Sequence, residues 1–222
     1  LEEAVESILH QTLKPSEVVI VEDGPLTPEL YQVLDKLTAQ SSIPIKRCPL
    51  EQNRGLGLAL QYGVLQCQYD VIARMDTDDI AVEDRFEQQF DLMEKENLDL
   101  LGGHIAEFID QPDEIVSYRR VPIKHEEIIA YQRMRSAFNH MTVMFKKEMV
   151  LKAGNYEDGL YMEDDLLWLN MISAGARTGN VDQILCKVRV GAGMFERRGG
   201  LRYLKLYRQA RQRMHARGQI SY

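Results

Sequence analysis

The sequence predicts an α/β fold in which helices cover both faces of a mostly parallel central sheet. Three short apolar segments rich in β-branched residues, 18–21, 43–48 and 71–75, alternate with segments of helical periodicity. Short apolar runs are typical of strands buried on both faces, and alternation with helices predicts a parallel sheet. Ligands bind at the carboxyl ends of the strands in such sheets, so the residues after each strand are the first candidates for function.

Hydrophobic periodicity and capping residues predict the remaining elements. Gly102 and Gly103 are expected to end a short strand that begins at Leu100, and Asn53 can cap the third helix. In chain order the predicted helices span about 5–9, 28–37, 53–64, 82–95, 125–134, 164–173 and 201–216, and the remaining strands about 100–101, 104–109, 115–118, 141–145 and 184–190.

Composition argues against several classes of protein. The chain has 222 residues, 45% of them hydrophobic, which is enough for a proper core. Its net charge of −7 argues against nucleic-acid binding, because phosphate neutralisation needs surplus Lys and Arg. Cys48, Cys67 and Cys186 form no CxxC or Cys/His cluster, which argues against structural zinc and a disulfide framework. No apolar run approaches the roughly 20 residues that span a bilayer.

Acidic residues follow two of the predicted strands. Asp23 comes after 18–21, and Asp76-Thr77-Asp78-Asp79 comes after 71–75. Three carboxylates within four residues repel one another unless a cation is present. Mg²⁺ and Mn²⁺ prefer oxygen ligands and often bind through one or two carboxylates together with substrate phosphates. The cluster therefore predicts a metal–diphosphate site, with a turn and a helix cap as the structural alternative.

These motifs resemble those of family 2 glycosyltransferases, whose Rossmann-like α/β fold is called GT-A. Asp76-Thr77-Asp78-Asp79 is similar to the DxD motif, and Glu22-Asp23-Gly24 to the acidic turn after the second strand, with Pro25 in place of the usual serine. Asn53-Arg54-Gly55-Leu56-Gly57 resembles the start of the NxGxxxARNxG helix, with Leu60-Gln61 where Arg-Asn is common. The resemblance implies a metal held by Asp78 and Asp76, and a nucleotide base contacted by Asp23.

A second acidic cluster, Glu163-Asp164-Asp165, resembles the start of the family's EDxDLWLRL segment. An inverting transfer needs a base to accept the proton of the acceptor hydroxyl. The resemblance implies that Asp164 is this base and that Glu163 orients the acceptor, and His140 is a candidate for acceptor contact. The structural alternatives are an acidic first helical turn favoured by the helix dipole and a histidine that only donates and accepts hydrogen bonds.

A nucleoside diphosphate leaving group needs positive charge beyond the metal. The candidate cations are Arg54, Arg74, Arg197 and Arg198, each of which has solvated surface charge as its structural alternative. Arg74 should point to the same face of its strand as Asp76. Arg197 and Arg198 lie in a Gly-containing stretch that suits a loop closing over the donor.

We predict one domain over residues 1–222. It comprises a nucleotide-binding half at 1–103, an acceptor half at 104–198 and a basic helix at 199–222. The chain begins inside a predicted helix, so the family's first strand is expected to be missing. The basic helix has leucines at helical spacing, which predicts either packing on the domain or a second subunit, or contact with an anionic membrane.

The sequence thus predicts an inverting, Mn²⁺- or Mg²⁺-dependent transfer of sugar from a nucleotide sugar, with a UDP-sugar favoured. The acceptor is a glycan or a lipid-linked hydroxyl, and the expected location is cytoplasmic, with peripheral contact at the inner face of the plasma membrane as one option. Two alternatives from other classes are a noncatalytic sugar-nucleotide or glycan-binding domain and a nucleotidyltransferase. The latter needs a Gly-rich phosphate loop, and the sequence has no such run.

Overall fold

A computed structural model describes residues 1–158, 162–191 and 200–221, with the backbone alone of residue 202. The secondary structure of this part of the chain alternates between helices and strands. Its helices are α1 (Glu2–Leu9), α2 (Pro28–Gln40), α3 (Leu56–Gln66), α4 (Arg85–Glu96), α5 (His125–Gln132), α6 (Lys147–Lys152), α7 (Glu163–Ser173) and α8 (Gly200–Ala216). Its strands are β1 (Val18–Glu22), β2 (Ile45–Pro49), β3 (Val71–Ala73), β4 (Ile80–Ala81), β5 (Leu100–Phe108), β6 (Ile115–Arg119), β7 (Met144–Lys146) and β8 (Thr178–Arg189).

The strands form two hydrogen-bonded groups. β1 pairs with β2, and the other six form a sheet in the order β3-β7-β5-β8-β4, with β6 paired to the second half of β5. The predicted α/β fold class is confirmed. The sheet is more mixed than predicted, because only β1–β2 and β5–β8 are parallel among the described pairs. Apolar periodicity identifies a strand but not its direction, and β4, β6 and β7 all run against their neighbours.

Strand β5 continues through Gly102 and Gly103, where the sequence was expected to end it. A Cβ atom on Gly103 would lie 2.4 Å from Cδ1 of Leu185, and one on Gly102 would lie 2.8 Å from Oδ1 of Asn180. Both close approaches come from β8. The two glycines therefore permit tight packing of side chains from the neighbouring strand, and they do not terminate β5.

Helices cover both faces of this sheet, as predicted. Successive residues of a strand point to opposite faces. Leu100 accordingly packs in one core cluster with Trp168 of α7, whereas Leu101 packs in another with Ile8 of α1 and Met93 of α4. All of these side chains are buried. Trp168 is fully buried, so it belongs to the core.

Several element boundaries differ from the sequence prediction. Helix α4 begins at Arg85 and not near Val82, because the chain first forms the short strand β4 against β8. Asn53 does not cap α3, whose N-cap is Gly55 with φ of 86°. Residues 140–142 form a 3₁₀ turn before β7, and α6 was not predicted. The division into one domain with two halves stays a prediction.

Helix α8 packs against α7 along one side. Ala210 and Met214 are buried in a cluster with Leu166, Leu169 and Ile220. On the other side Leu201 is 85% exposed and Leu204 is 60% exposed. Among the described residues, no helix has the length and apolarity needed to cross a membrane.

Candidate active site

The first acidic cluster lies just beyond the end of β3. Carboxylate oxygens of Asp76, Asp78 and Asp79 all lie within 4.8 Å of one another. Asp78 is exposed, whereas Asp79 is buried. Three carboxylates supply only hard oxygen ligands, which suit Mg²⁺ or Mn²⁺ better than a softer metal. The structure therefore brings the predicted ligands Asp76 and Asp78 together and adds Asp79 to them.

Asp79 belongs to the acidic run from which the sequence predicted a metal site, but it was not one of the two predicted ligands, Asp78 and Asp76. Its Oδ1 accepts a hydrogen bond of 3.0 Å from the backbone N–H of Arg189, and α4 begins only at Arg85. Burial, together with the negative charges of Asp76 and Asp78, raises the pKa of Asp79 to about 7. A bound cation would favour its ionised form. The signal for its role was its place in the acidic run, directly after Asp78.

Arg74 acts on both acidic clusters. It is 7% exposed, and its guanidinium forms a two-point ion pair with Asp76, including a bond of 2.8 Å from Nη1 to Oδ2. The same positive charge acts on the carboxyl groups of Asp79, Glu163 and Asp164, where it opposes the rise in pKa that burial causes. Arg74 is thus the shared counter-charge of both clusters, and Asp76 is held in place by it.

The second acidic cluster occupies the first turn of α7. Burial, followed by the charges of Asp165 and Glu163, raises the pKa of Asp164 to about 8. Burial also raises the pKa of Glu163, which is 8% exposed. The side chain of Asp164 keeps 22% of its surface exposed, so solvent or a substrate can reach it. A reachable carboxylate with an elevated proton affinity has the properties of a general base.

His140 lies beside Asp164. Its Nδ1 is 3.9 Å from Oδ2 of Asp164, and its Nε2 is 3.0 Å from the hydroxyl of Tyr156. Burial and the nearby charge of Arg74 lower the pKa of His140 well below its usual value, so the imidazole is neutral. Its ring also contacts Trp168 edge-on. The structure therefore places His140 at the predicted site, and its role toward an acceptor stays a prediction.

Asp23 organises the turn that leads into α3. Its two carboxylate oxygens accept backbone N–H bonds of 2.7 Å from Arg54 and 3.1 Å from Gly55. The preceding turn requires Gly24, which has φ of +93°, and a Cβ there would lie 2.7 Å from the nitrogen of Asn53. These bonds fix Asp23 at the carboxyl end of β1. Its predicted contact with a nucleotide base is untested.

Helix α3 joins this turn to the second acidic cluster through contacts that the motifs did not indicate. A Cβ on Gly57 would lie 2.4 Å from the carbonyl oxygen of Glu157 and 3.2 Å from Cβ of Glu163. Gln61, at the position where the family commonly has Arg-Asn, donates a 2.6 Å bond to the carbonyl of Tyr156. Gly57, Gln61 and Tyr156 are thus site-supporting residues, since they hold α3 close to α7.

The predicted cations fall into two groups. Arg74 and Arg54 are described, and the side chain of Arg54 is exposed next to the turn held by Asp23. Arg197 and Arg198 lie outside the described residues. Their predicted role in closing over a donor stays a prediction.

Residues 1–158 match the sequence profile described as glycosyl transferase family 2. A Haemophilus influenzae protein described only as a glycosyltransferase is 44% identical over 206 residues, which cover 92% of this chain and 76% of that protein. An Escherichia coli relative is named UDP-Gal:α-D-GlcNAc-diphosphoundecaprenol β-1,3-galactosyltransferase. It is 36% identical over 223 residues, which cover 100% of this chain and 80% of the relative.

Two solved structures share the fold. S. aureus TarS 1–349, solved with UDP-GlcNAc, superposes with a TM-score of 0.70 at 16% identity, over 94% of this chain and 60% of TarS 1–349. The Pyrobaculum calidifontis mannosyltransferase PcManGT, solved with GDP-Man and Mn²⁺, has a TM-score of 0.65 at 15% identity, over 86% of this chain and 53% of PcManGT. The chain spans only part of each solved protein, and identities this low establish likeness of fold alone.

The raised pKa of Asp164 predicts how stability depends on pH when no metal is present. An acid that binds its proton more tightly in the folded state makes the free energy of unfolding fall as pH rises between its two pKa values. For Asp164 these are about 4 in the unfolded chain and about 8 in the folded protein. Asp164→Asn removes this contribution. Urea unfolding at several pH values between 5 and 8, in EDTA, should show a shallower fall for the variant. A tenfold difference in proton affinity corresponds to about 1.4 kcal/mol.

Asp113→Asn is the matched control. Asp113 is exposed, and its hydrogen bond to Lys187 lowers its pKa, so it stays ionised in both states over this range. Its substitution should leave the pH dependence unchanged. Parallel curves for Asp164→Asn and the parent protein would show that Asp164 carries no elevated proton affinity.

Proposed function

The chain belongs to glycosyl transferase family 2 and is a glycosyltransferase; we propose that it transfers a sugar, with inversion, from a nucleotide diphosphate sugar to an acceptor hydroxyl. The observation that supports this proposal most strongly is that one cation, Arg74, pairs with Asp76 in the first acidic cluster and acts electrostatically on Asp164 in the second. One cluster suits a metal and a diphosphate, and the other suits a proton acceptor. Family membership disfavours the alternative of a nucleotidyltransferase.

The metal site consists of Asp78 with Asp76 and Asp79. A bound Mn²⁺ or Mg²⁺ would supply positive charge that stabilises the departing diphosphate. Asp78 offers an exposed carboxylate for this, whereas Asp76 is oriented by its ion pair with Arg74. The likeness of fold to the Mn²⁺-containing PcManGT is consistent with this assignment.

Asp164 acts as the base in the proposed reaction. The acceptor hydroxyl gives its proton to the Asp164 carboxylate while its oxygen bonds to the anomeric carbon, and the nucleoside diphosphate leaves with the electrons of the broken bond. Attack from the side opposite the leaving group inverts the anomeric centre. Glu163 and His140 lie beside Asp164 and orient the acceptor.

The donor lies along the carboxyl ends of β1 and β3 in this proposal. Asp23 contacts the nucleotide base, and Arg54, exposed next to it, approaches the phosphates. Arg197 and Arg198, which lie outside the described residues, are assigned to the diphosphate, with Arg74 as a further cation. A UDP-sugar is the favoured donor, since the E. coli relative is named for UDP-Gal and TarS was solved with UDP-GlcNAc.

The acceptor is proposed to be a sugar linked through diphosphate to a lipid, as in the name of the E. coli relative. The reaction would then belong to bacterial glycan assembly at the cytoplasmic face of a membrane. Helix α8 suits contact with that surface. Leu201 and Leu204 are exposed on it, and residues 200–221 contain six Lys and Arg and no acidic residue, although the chain as a whole carries −7.

Nucleotide binding tests the donor site most simply. UDP-, GDP-, dTDP- and CMP-sugars, each with and without Mn²⁺, are added to the chain, and thermal unfolding is followed. A donor at 100 times its Kd should raise Tm by about 5–10 °C. We expect this shift for the sugars of one nucleotide, and only when Mn²⁺ is present. Asp78→Ala should abolish this shift, because it removes an exposed metal ligand.

Asp91→Ala serves as the control for that variant. Asp91 is an exposed carboxylate on α4, outside the acidic clusters, so its removal should leave the shift intact. A shift that is independent of Mn²⁺, or that survives in Asp78→Ala, would contradict the metal assignment. The absence of any shift with every nucleotide would instead favour a glycan-binding domain without donor chemistry.

The membrane proposal is tested by flotation with vesicles of phosphatidylglycerol and phosphatidylcholine. Leu201→Glu/Leu204→Glu should abolish flotation, because it places charge on the exposed side of α8. Deletion of the helix is a poorer test, since Ala210 and Met214 are part of a buried cluster. Leu65→Glu/Leu151→Glu changes two leucines that are exposed elsewhere and should float like the parent. Equal flotation of both variants would refute the proposal.

A further inference from the structure

Two arginines that act on Asp165, in the first turn of α7, lie near a segment with two exposed arginines, which follows Gln132, a hydrogen-bond partner of Asp165. The four arginines are Arg119 at the end of β6, Arg133 and Arg135 after α5, and Arg211 on α8, and we call them the arginine collar. Arg211 donates a 2.9 Å bond from Nη1 to the carbonyl of Arg133, which joins α8 to the segment after α5. Arg119 and Arg211 both act electrostatically on Asp165. The collar therefore comprises two arginines that act on Asp165 and two exposed arginines on the segment whose backbone Arg211 contacts.

The four positive charges of the collar exceed the single negative charge of Asp165. The Asp165 carboxylate already accepts a 2.7 Å bond from Nε2 of Gln132, and Ser136 also bonds to it. The side chains of Arg133 and Arg135 are exposed, and each adds a charge beyond those of Arg119 and Arg211. Exposed guanidinium groups in excess over a single engaged carboxylate can take a further anion.

The collar also adjoins the proposed base. The carbonyl of Arg119 accepts a 3.4 Å bond from Nδ2 of Asn139, and the next residue, His140, lies beside Asp164. Asp164 and Asp165 are consecutive on α7. An acceptor whose hydroxyl lies at Asp164 would thus have the collar beside it.

Exposed apolar side chains accompany these charges. Met134, between Arg133 and Arg135, is 65% exposed, and Tyr207, one helical turn before Arg211 on α8, is 37% exposed. Arginines beside apolar surface suit a ligand that carries phosphate groups on a hydrocarbon chain. A free sugar or a neutral glycan carries no negative charge for these arginines to pair with.

We propose that the arginine collar binds the diphosphate of a lipid-linked acceptor, with the first part of the lipid along Met134 and Tyr207. This inference rests on the proposed function, because it assigns residues to the acceptor side of the same site. It differs from the membrane proposal in its residues, since Leu201 and Leu204 are not part of the collar.

Farnesyl diphosphate is the probe, and calorimetric titration measures its Kd. UDP and Mn²⁺ are kept saturating so that the donor site is occupied. Arg133→Gln/Arg135→Gln should raise the Kd about tenfold or more, the effect of losing about one charge-assisted contact. Arg119→Gln should act in the same direction. Arg177 is an exposed arginine just before β8, and Arg177→Gln should leave the Kd unchanged.

Two further measurements distinguish a lipid-linked diphosphate from free phosphate and from phospholipid headgroups. Inorganic pyrophosphate should bind at least tenfold more weakly than farnesyl diphosphate, and farnesol should not bind. Vesicle flotation of Arg133→Gln/Arg135→Gln should match that of the parent, since the collar is assigned to the acceptor and not to phospholipid headgroups. Pyrophosphate binding as tight as that of farnesyl diphosphate, or loss of flotation in this variant, would contradict the proposal.

The inference is overturned if farnesyl diphosphate does not bind, or if the double arginine variant binds it like the parent. Weakening by Asp78→Ala without an effect of the arginine variants would show binding at the donor site and would also overturn it. The nucleotide thermal shift, measured on the same variants, separates these results from a failure of the proposed function. It should be unchanged in Arg133→Gln/Arg135→Gln.

Discussion

The site depends on a buried positive charge, that of Arg74, which acts on carboxylates that would otherwise repel one another. Burying several acids near one another costs several kcal/mol for each unpaired charge. The chain limits this cost in two ways. Arg74 neutralises Asp76 directly and acts on Asp79, Glu163 and Asp164 at longer range. The remaining acids take up protons more readily, as the pKa values of Asp79 and Asp164 indicate.

A second buried arginine, Arg85, holds the backbone at Arg74 in place. Arg85 is fully buried and donates a 2.7 Å bond to the carbonyl of Arg74. It also bonds to Gln89, whose amide donates to the carbonyl of Thr142 in the turn that begins at His140. The backbone that leads into the first acidic cluster is thus tied to the backbone that positions the histidine beside the second. The two acidic clusters come from distant parts of the chain, and these hydrogen bonds fix their positions relative to each other.

The sequence predicted the parts of the site whose chemistry is local. An acidic run after an apolar strand and an acidic first turn of a helix can be recognised from neighbouring residues alone. The contacts that join the two clusters cannot be recognised in this way. Gly57 and Gln61 contact Glu157 and Tyr156, about 100 residues later, and no sequence pattern indicates these contacts. The same reason explains why Gly102 and Gly103 were misread as a strand end. Side chains of β8 occupy the space that a Cβ atom on either glycine would need. This close approach is visible only after the two strands pair.

A double-mutant cycle tests the role of Arg74 most directly. Urea unfolding in EDTA at pH 7 is measured for Arg74→Met, Asp76→Asn and the double variant. Arg74→Met should lower the free energy of unfolding by about 3–5 kcal/mol, since it leaves buried carboxylates without their counter-charge. The double variant should lose less than the sum of the two single losses, by about 1 kcal/mol or more. Additive losses would show that Arg74 and Asp76 are not coupled, which would contradict the role of Arg74 as the counter-charge of the first cluster.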